Sequence, residues 1–579
     1  MKWILAEPDE SAVHGLANEA GLHPIIAALM VNRGVTEPAA ARRFLSCDIS
    51  GLSEPAVFSD MEKAVSRVKR AITGREKIIV YGDYDVDGVT AAALLFLALC
   101  ELDAEVDWYI PDRLAEGYGL NPGALERIKQ SGFNLVITVD CGIGAYAEAE
   151  LAVKLGLDLI ITDHHELPGR AAEPKGTYLP AAYAILHPRL LKSGVSTFVQ
   201  EGVAGLTGVG VAFKFVQALM DAGPDDPRLL KYLDLVTLGT IADVGRMTGE
   251  NRAIVRRGLE LLSSAEARPG LLALKAAAGL NGGAVGVGTV GFVLGPRINA
   301  GGRLENAGPA FRLLTTKSHE EAAGFARTLD ALNRERQAVE EEIHEEALEM
   351  SRSLDIEKIG ALVLASEQWH PGVVGIVASR IAEEFYRPAA LIAIQNGVGK
   401  GSARSIPGFD LYSGLMKCSD LLLGFGGHAY AAGFTVSEEN ICELGSRLSR
   451  AVLEGIGCDG FVRSLKIDRA VSITDLTLDL VKEMDRLAPF GQGNPEPRFG
   501  SKGLDVLQAR IVGGNHLRLK LRQSGGAVMD AIGFNLGRLL GRKVREGGRI
   551  AAVFTPRLNT WNGRTVVELE IRDVKVEKV

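Results

Sequence analysis

Apolar and polar positions change rhythm several times along the chain. The opening segment follows a helical spacing: EPAAARRFLSCD reads as a short amphipathic helix, and Ser59 with Glu62 reads as a capping box for DMEKAVSRVKRAITG. From residue 77 the short apolar runs KIIVYG, EVDWYI, LVITVD, LDLIITD and YAILHP alternate with the helical stretches VTAAALLFLALCEL, NPGALERIKQSG and AYAEAELAVKLG. Such alternation predicts a parallel sheet with helices on both faces. Residues 205–265 turn largely helical. Residues 320–353 carry dense Glu, no Pro and no Gly beyond Gly324, and predict one or two long, exposed helices joining two domains. IGALVLAS and AALIAI then read as strands and VVGIVASRIAEEF as a helix, which makes a second α/β unit. The last stretch, with HLRLKLRQ, AVMDAIGF, GRIAAVFTPRLN and RTVVELEIRDV and turns at GG and NG, fits a small OB-like Greek-key barrel. The predicted architecture is α/β and multidomain: a helical segment at 1–70, a parallel-sheet domain at 71–319, connecting helices at 320–355, a smaller α/β domain at 356–456 and a β-barrel at 457–579.

Composition adds bounds. The 579 residues suit three or four domains of about 150 residues each. With 47% hydrophobic and 23% charged residues, disorder, collagen and a small disulfide scaffold are excluded. The six cysteines form no CxxC pair and fit a reducing compartment. The N-terminus turns acidic after five residues, and the longest apolar runs fall short of the ~20 residues of a membrane span. A cytoplasmic protein without membrane association is expected.

The net charge of −8, taken as a total, disfavours nucleic acid. It is not evenly spread. Residues 498–573 hold fourteen Lys and Arg (Arg538, Arg542 and Lys543 among them) against six Asp and Glu, an excess of eight positive charges. A basic small barrel with aromatic side chains is a common device for binding single strands. Phe534, Phe554 and Trp561 are the aromatics on offer, the two phenylalanines reading rather as core.

The candidate chemistry follows three strands. VYGDYDVDGVTA sets Asp83, Asp85 and Asp87 two residues apart, so that in an extended segment they project to one side. LVITVDCGIG ends in Asp140, and LIITDHHE in Asp163, His164 and His165. In a doubly wound sheet the carboxyl ends of neighbouring strands converge on one crevice. Several carboxylates plus imidazole suit Mn²⁺, Mg²⁺ or similar cations, and a pair about 3.5–4 Å apart drives phosphoryl displacement by water. Asp243, after the apolar run LVTLGTIA, is a further candidate ligand. A calcium EF-hand is excluded, because the loop counted from Asp83 reaches Leu94 where a Glu is needed. GLTGVGVAFK lacks the Walker spacing, HEEAL lacks the second His of a zinc protease helix, and Gly401-Ser402-Ala403 is not a nucleophile elbow. Trp369 and His370 read as a turn.

GDYDVDG, VDCG, TDHHE and TIADV resemble the motifs of the DHH phosphoesterase family, and GSARSIPGFDL and GFGGHAYAAG resemble the companion (DHHA1) domain of that family. IPDRLAEGYGLN, TGVGVAFK, LGPRINAGGR, PFGQGNPEP and LNTWNG are similar to its bacterial branch of single-strand-specific 5′→3′ exonucleases. The resemblance covers residues 45–575. It implies that Asp85, Asp87, Asp140, His164 and Asp243 hold two divalent cations, Mn²⁺ or Mg²⁺, with Asp83 as ligand or support. It sets His165 beside the scissile phosphate as electrostatic support or proton donor. Arg113 and Tyr118 would grip the strand, with Tyr118 stacking on a terminal base. Arg297, Asn299 and Arg303 would face the cleft, and Ser402, Arg404 and His428 would grip phosphate. KGSARS, with Gly-flanked backbone, hydroxyls, Lys400 and Arg404, is suited to that task. Gly295, Gly301, Ala403 and the pair Gly245-Arg246 depart from the family pattern without removing a ligand. The implied activity is degradation of single-stranded DNA to nucleoside 5′-monophosphates in repair and recombination, with a single-strand DNA-binding protein and a helicase as partners. The alternatives are a phosphodiesterase for short oligoribonucleotides or cyclic dinucleotides, a non-catalytic scaffold, and a pyrophosphatase. The basic barrel disfavours the first, the intact acids and histidines the second, and the long C-terminal region the third.

Overall fold

In the computed structural model, residues 1–113, 115–167, 179–280, 282–537 and 544–577 are described. Arg538, Arg542 and Lys543 lie outside them. The chain opens with a short strand β1 (Lys2–Leu5) and helices Glu10–Ala20, Pro24–Val31 and Pro38–Ser46. The helix Met61–Thr73 follows, starting from Asp60 without a side-chain cap. The capping box expected from Ser59 and Glu62 does not form, because Asp60 instead takes the N-cap position and its carboxylate accepts from the Ile185 amide.

Strands β2 (Ile78–Tyr81), β3 (Val106–Tyr109), β4 (Leu135–Val139), β5 (Asp158–Thr162) and β6 (Ala184–Leu186) form an all-parallel sheet in the order β3-β2-β4-β5-β6. β2 and β4 are buried throughout, as expected for strands covered on both faces. The strand order reverses between β2 and β4, the position where doubly wound sheets open a crevice at their carboxyl edge. One face is covered by the almost wholly buried helix Val86–Glu101 and by Gly208–Leu219 and Leu233–Ala242. The other face carries Pro122–Gln130 and Tyr146–Lys154.

A single 34-residue helix, His319–Arg352, leads out of this domain. The expectation of exposed connecting helices is thereby corrected. Ala326 and Leu329 belong to the core of the parallel-sheet domain, while Ile343 and Ala347 belong to the core of the next domain. One apolar stripe therefore serves two domains, and only the opposite, Glu-rich face meets water. The smaller domain is a mixed sheet of β7 (Leu362–Ser366), β8 (Ala389–Gln395), β9 (Val398–Arg404), β10 (Leu422–Gly427) and β11 (Ala431–Ser437), in the order β10-β11-β9-β8-β7.

The chain returns through β12 (Ser464–Ile467), which pairs with β1, and β13 (Arg469–Ala470), which pairs with the start of the barrel. The barrel itself comprises β14 (Phe499–Val512), β15 (His516–Gln523), β16 (Met529–Gly533), β17 (Arg549–Trp561) and β18 (Arg564–Val576). It closes through β14–β17 pairing. The opening helices share one hydrophobic core with it: Leu16, Ile26, Leu29 and Leu45 pack with Phe499, Leu519 and Phe554. Among the described residues no single helix is long and apolar enough to cross a membrane. The bent pair Thr197–Val203 and Gly208–Leu219 passes by length and composition together, but the second helix is buried in the core of the parallel-sheet domain.

One buried cation joins the N-terminal segment, the parallel-sheet domain and the barrel region. Arg252 donates to the carbonyls of Phe44, Arg486 (2.8 Å) and Ala488 (2.9 Å), and its guanidinium lies 3.9 Å from the centre of the Phe44 ring. Arg252→Met leaves those carbonyls without their donor. It is expected to cost about 2–4 kcal/mol and to lower the midpoint of the first unfolding transition in urea.

Candidate metal centre and strand-binding cleft

The chain leaves β2 through Gly82, Asp83 and Tyr84 and enters the helix Val86–Glu101 at once. Asp85 is the N-cap, its carboxylate accepting from the Gly88 amide at 3.0 Å, and Asp87 lies in the first turn. The three aspartates thus occupy a turn, a cap and a helix. The expected extended projection is replaced by a strand–turn–helix junction, because the helix begins at Val86, three residues before the helical stretch read from Val89. Asn299 supports this junction by accepting from the Val86 amide at 3.1 Å. Asp140 follows β4 with φ of 61°, and Asp243 is the C-cap of Leu233–Ala242.

These acids meet around His164. Its Nε2 lies 3.1 Å from Asp140, 3.8 Å from Asp87 and 3.8 Å from Asp243. Ligand atoms of Asp140, His164 and His165, of Asp87, His164 and Asp243, and of Asp83, Asp85 and Asp140 form three sets, each lying within 4.8 Å of one another. Burial, then the charge of Asp85, pushes Asp87 up to about 7. Burial, then the charges of Asp87 and Asp85, pushes Asp243 up to about 8. Burial also holds Asp83 and Asp140 well above the usual carboxylate range, with Asp85 and Asp87 respectively as the next cause. His164 goes the other way, to about 4, through burial and the nearby charge of His165, so it is a neutral imidazole.

The donor set fits a divalent cation. Asp83 Oδ1, Asp140 Oδ1 and His164 Nε2 are buried without hydrogen-bond partners, although the last two are only 3.1 Å apart. Buried polar atoms without partners are costly. Hard oxygens with one neutral imidazole are the ligands that Mn²⁺ and Mg²⁺ take.

Two supporting roles escaped the sequence reading. Asp87 accepts from the amides of Gly208 (2.7 Å) and Val209 (3.0 Å) and from Thr207 Oγ1 (3.3 Å), at the start of the helix Gly208–Leu219. The Gly-rich segment rejected as a nucleotide loop is therefore an anion clamp for a protein carboxylate. A Cβ on Gly208 would stand 2.5 Å from the Asp140 carboxylate, which only glycine avoids. Asp163 accepts from the amides of Ile143, His164 and His165 and from His165 Nδ1 at 2.8 Å. Burial alone would raise Asp163, but these bonds and the His165 charge bring it to about 2. Burial alone would lower His165, but the Asp163 partner pushes it up to about 9. The signal for both was adjacency: a glycine at a helix start and an acid beside two histidines.

The remaining predicted residues divide. Tyr118 Oη donates to the Asp140 carbonyl at 3.2 Å and meets the His165 ring, while its ring is half exposed. Arg113 lies over the Tyr84 ring at 4.9 Å. Arg113, Arg303 and Arg404 act on one another: burial and then the Arg113 charge lower Arg303, to about 10, and Arg404. Arg404 Nη1 donates to Ser402 Oγ at 3.0 Å. His428 is exposed on the companion domain, with its charge bearing on His164. Arg297 stays outside this group, donating to Asp330 at 2.9 Å and to the Val293 carbonyl. Gly301 packs on the Asn306 carbonyl, and Ala403 is buried in the sheet core.

On the barrel, Gln508, Arg510, Arg518, Lys520 and Asp530 line a polar groove. Trp561 is 77% exposed and Phe554 is core, as read from sequence. Phe534, read as core, is half exposed because it packs edge-on against His516 at the surface. Part of the basic excess is spent internally: Arg557 and Arg572 pair with Glu496 and Glu570.

A parallel-sheet domain with acids and histidines at its switch point, a companion mixed sheet and a closed barrel define a DHH phosphoesterase of the DHHA1 type with an OB domain. The models of the DHH family N-terminal domain, the DHHA1 domain and the RecJ OB domain match residues 77–240, 358–454 and 467–573. The chain belongs to the RecJ family. It is 40% identical over 585 residues to the single-stranded-DNA-specific exonuclease RecJ of Bacillus subtilis, spanning 100% of this chain and 71% of that one. With RecJ of Escherichia coli the identity is 34% over 577 residues, spanning 96% of each. Among solved structures, RecJ of Thermus thermophilus in complex with Mn²⁺ superposes with a TM-score of 0.82 at 29% identity, covering 100% of this chain and 80% of that one. The complex with Mg²⁺ gives 0.77 at 28%, covering 100% and 79%.

Gly208→Ala forces the Asp140 carboxylate aside without removing a ligand. It is expected to weaken Mn²⁺ binding about 10–100-fold, the usual effect of a disturbed supporting shell, when titrated by calorimetry.

Proposed function

We propose that this protein is a metal-dependent exonuclease that degrades single-stranded DNA from its 5′ end to nucleoside 5′-monophosphates, in cytoplasmic DNA repair and recombination. The observation that carries the reading is the convergence of five aspartates and a neutral histidine on one crevice, with three arginines beside them. The names of the RecJ relatives support the substrate class.

Asp85, Asp87, Asp140, His164 and Asp243 would hold two cations, with Asp83 as a further ligand or support. When bound, such ions supply an activated water and neutralise charge developing on the phosphate. His165, cationic and oriented by Asp163, donates to the scissile phosphate or the leaving oxygen. Tyr118 braces His165 and offers its exposed ring face to a terminal base. Arg113, Arg303, Arg404, Ser402 and His428 hold the phosphate at the 5′ end. Asn299 acts through the Val86 amide, and Arg297 through its ion pair with the connecting helix. Downstream nucleotides follow the barrel, where Trp561 serves as a stacking platform. A single-strand DNA-binding protein and a helicase are the partners such an activity needs.

A DNA strand labelled at either end tests this with Mn²⁺ present. Loss of label is expected to start at the 5′ end, and both a chelator and Asp140→Asn are expected to abolish it. Degradation by Asp140→Asn at the wild-type rate would sink the ligand assignment. Trp561→Ala is expected to weaken binding of long strands by about 1–3 kcal/mol and to spare oligonucleotides too short to reach the barrel.

A further inference from the structure

The parallel sheet carries one more histidine at a strand end, and it has no role so far. β6 finishes at Leu186, and His187 is the first residue beyond it. All five strands run parallel, so this end lies on the same edge as those of β4 and β5. The pairing of β5 with β6 stops at Thr162 and Leu186, extended by one bond from the Asp163 amide to the Leu186 carbonyl at 3.1 Å. Beyond that point a side chain takes over. Nε2 of His187 lies 2.7 Å from the carbonyl oxygen of His165. A carbonyl only accepts, so Nε2 carries the proton. Nδ1 accepts from the Arg189 amide at 3.1 Å, so it carries none. Both nitrogens of this fully buried ring are thus satisfied in one neutral tautomer. The turn is itself tied down: the Leu190 amide donates to the His187 carbonyl at 2.9 Å, and the Leu190 carbonyl accepts from the Ser59 amide at 3.0 Å. Arg189 meanwhile grips both carboxylate oxygens of Glu166, with Nη2 at 2.6 Å. One short turn therefore holds two successive residues, His165 by its backbone and Glu166 by its side chain.

We propose that His187 is a positioning residue for phosphodiester hydrolysis, its Nε2–H fixing the His165 carbonyl so that the His165 ring meets the phosphate. This rests on the exonuclease reading above. Asp163 accepts from the amide and the ring of His165, and His187 holds the carbonyl on the other side of the same residue. The two together fix where the ring stands. A group misplaced by 1 Å costs about 100-fold in rate. A neutral donor suits the place. Burial holds His187 below the ordinary histidine value, and the charges of Arg189 and His165 act the same way, so a cation there would be both desolvated and repelled.

The experiment is a double-mutant cycle, read as kcat and KM on a single-stranded DNA oligonucleotide with Mn²⁺. His187→Ala is expected to lower kcat about 10–100-fold and to leave KM nearly unchanged. In a His165→Ala protein the same substitution is expected to cost nothing further, because the residue it acts through is gone. His187→Gln, whose side-chain amide reaches the same carbonyl, is expected to keep most of kcat. Mn²⁺ affinity of His187→Ala, titrated by calorimetry, is expected to match the wild type. An equal loss in both backgrounds, a loss confined to KM, or a loss of Mn²⁺ affinity would each overturn the proposal. Where His187→Ala does not fold, His187→Gln decides: a folded variant as slow as His165→Ala overturns the proposal, and one close to the wild type upholds it. A wild type that leaves the strand intact would instead overturn the exonuclease reading.

Discussion

The structure turns on a repulsion. Five aspartates are drawn to one crevice, and burial leaves Asp83, Asp87, Asp140 and Asp243 with too little water to carry their charge. The neighbouring imidazole is neutral, so it offers a lone pair and no countercharge. Backbone amides relieve only part of this: Gly208 and Val209 serve Asp87, and Gly88 serves Asp85. The remaining lone pairs point at one another, an arrangement that bound cations would convert from a liability into a coordination site. Much of the surrounding fold serves that end. The parallel sheet delivers strand ends side by side, and the glycines at its edge allow helices to close on them.

Positive charge gathers beside the same acids, close enough for Arg113 to act on Asp83 and Asp85 on Arg303. Arg113 and Arg303 come from the catalytic domain and Arg404 from the companion sheet, joined by the Arg303–Gly372 contact. The connecting helix sets the spacing, since its apolar stripe is part of both cores. The net charge of the chain averages over these opposed surfaces, and a total of −8 conceals them.

The acids and histidines of the candidate site were legible in the sequence because their signal is local: apolar strand, then acid, within a few residues. The barrel was legible from alternation and turn glycines. What escaped depends on distant packing. Nothing in the helical rhythm of residues 1–46 says that Leu29 and Leu45 share a core with Phe554. Gly208 reads as a failed nucleotide loop until folding brings Asp87 to its amide. Phe534 reads as core until the exposed neighbouring surface is known. The extended reading of Asp83, Asp85 and Asp87 failed on one boundary, since Asp85 caps the helix.

The most direct measurement compares thermal unfolding of the wild type and Asp140→Asn, first in chelator and then in Mn²⁺. Asparagine is chosen because position 140 has a φ of 61°, which Asn tolerates well. Removing one charge from a repelling cluster should make the variant at least as stable as the wild type in chelator. Metal binding to the native state should then stabilise the wild type far more than the variant, so that the order reverses in Mn²⁺. A variant that is less stable in chelator and gains as much from Mn²⁺ as the wild type would contradict the account.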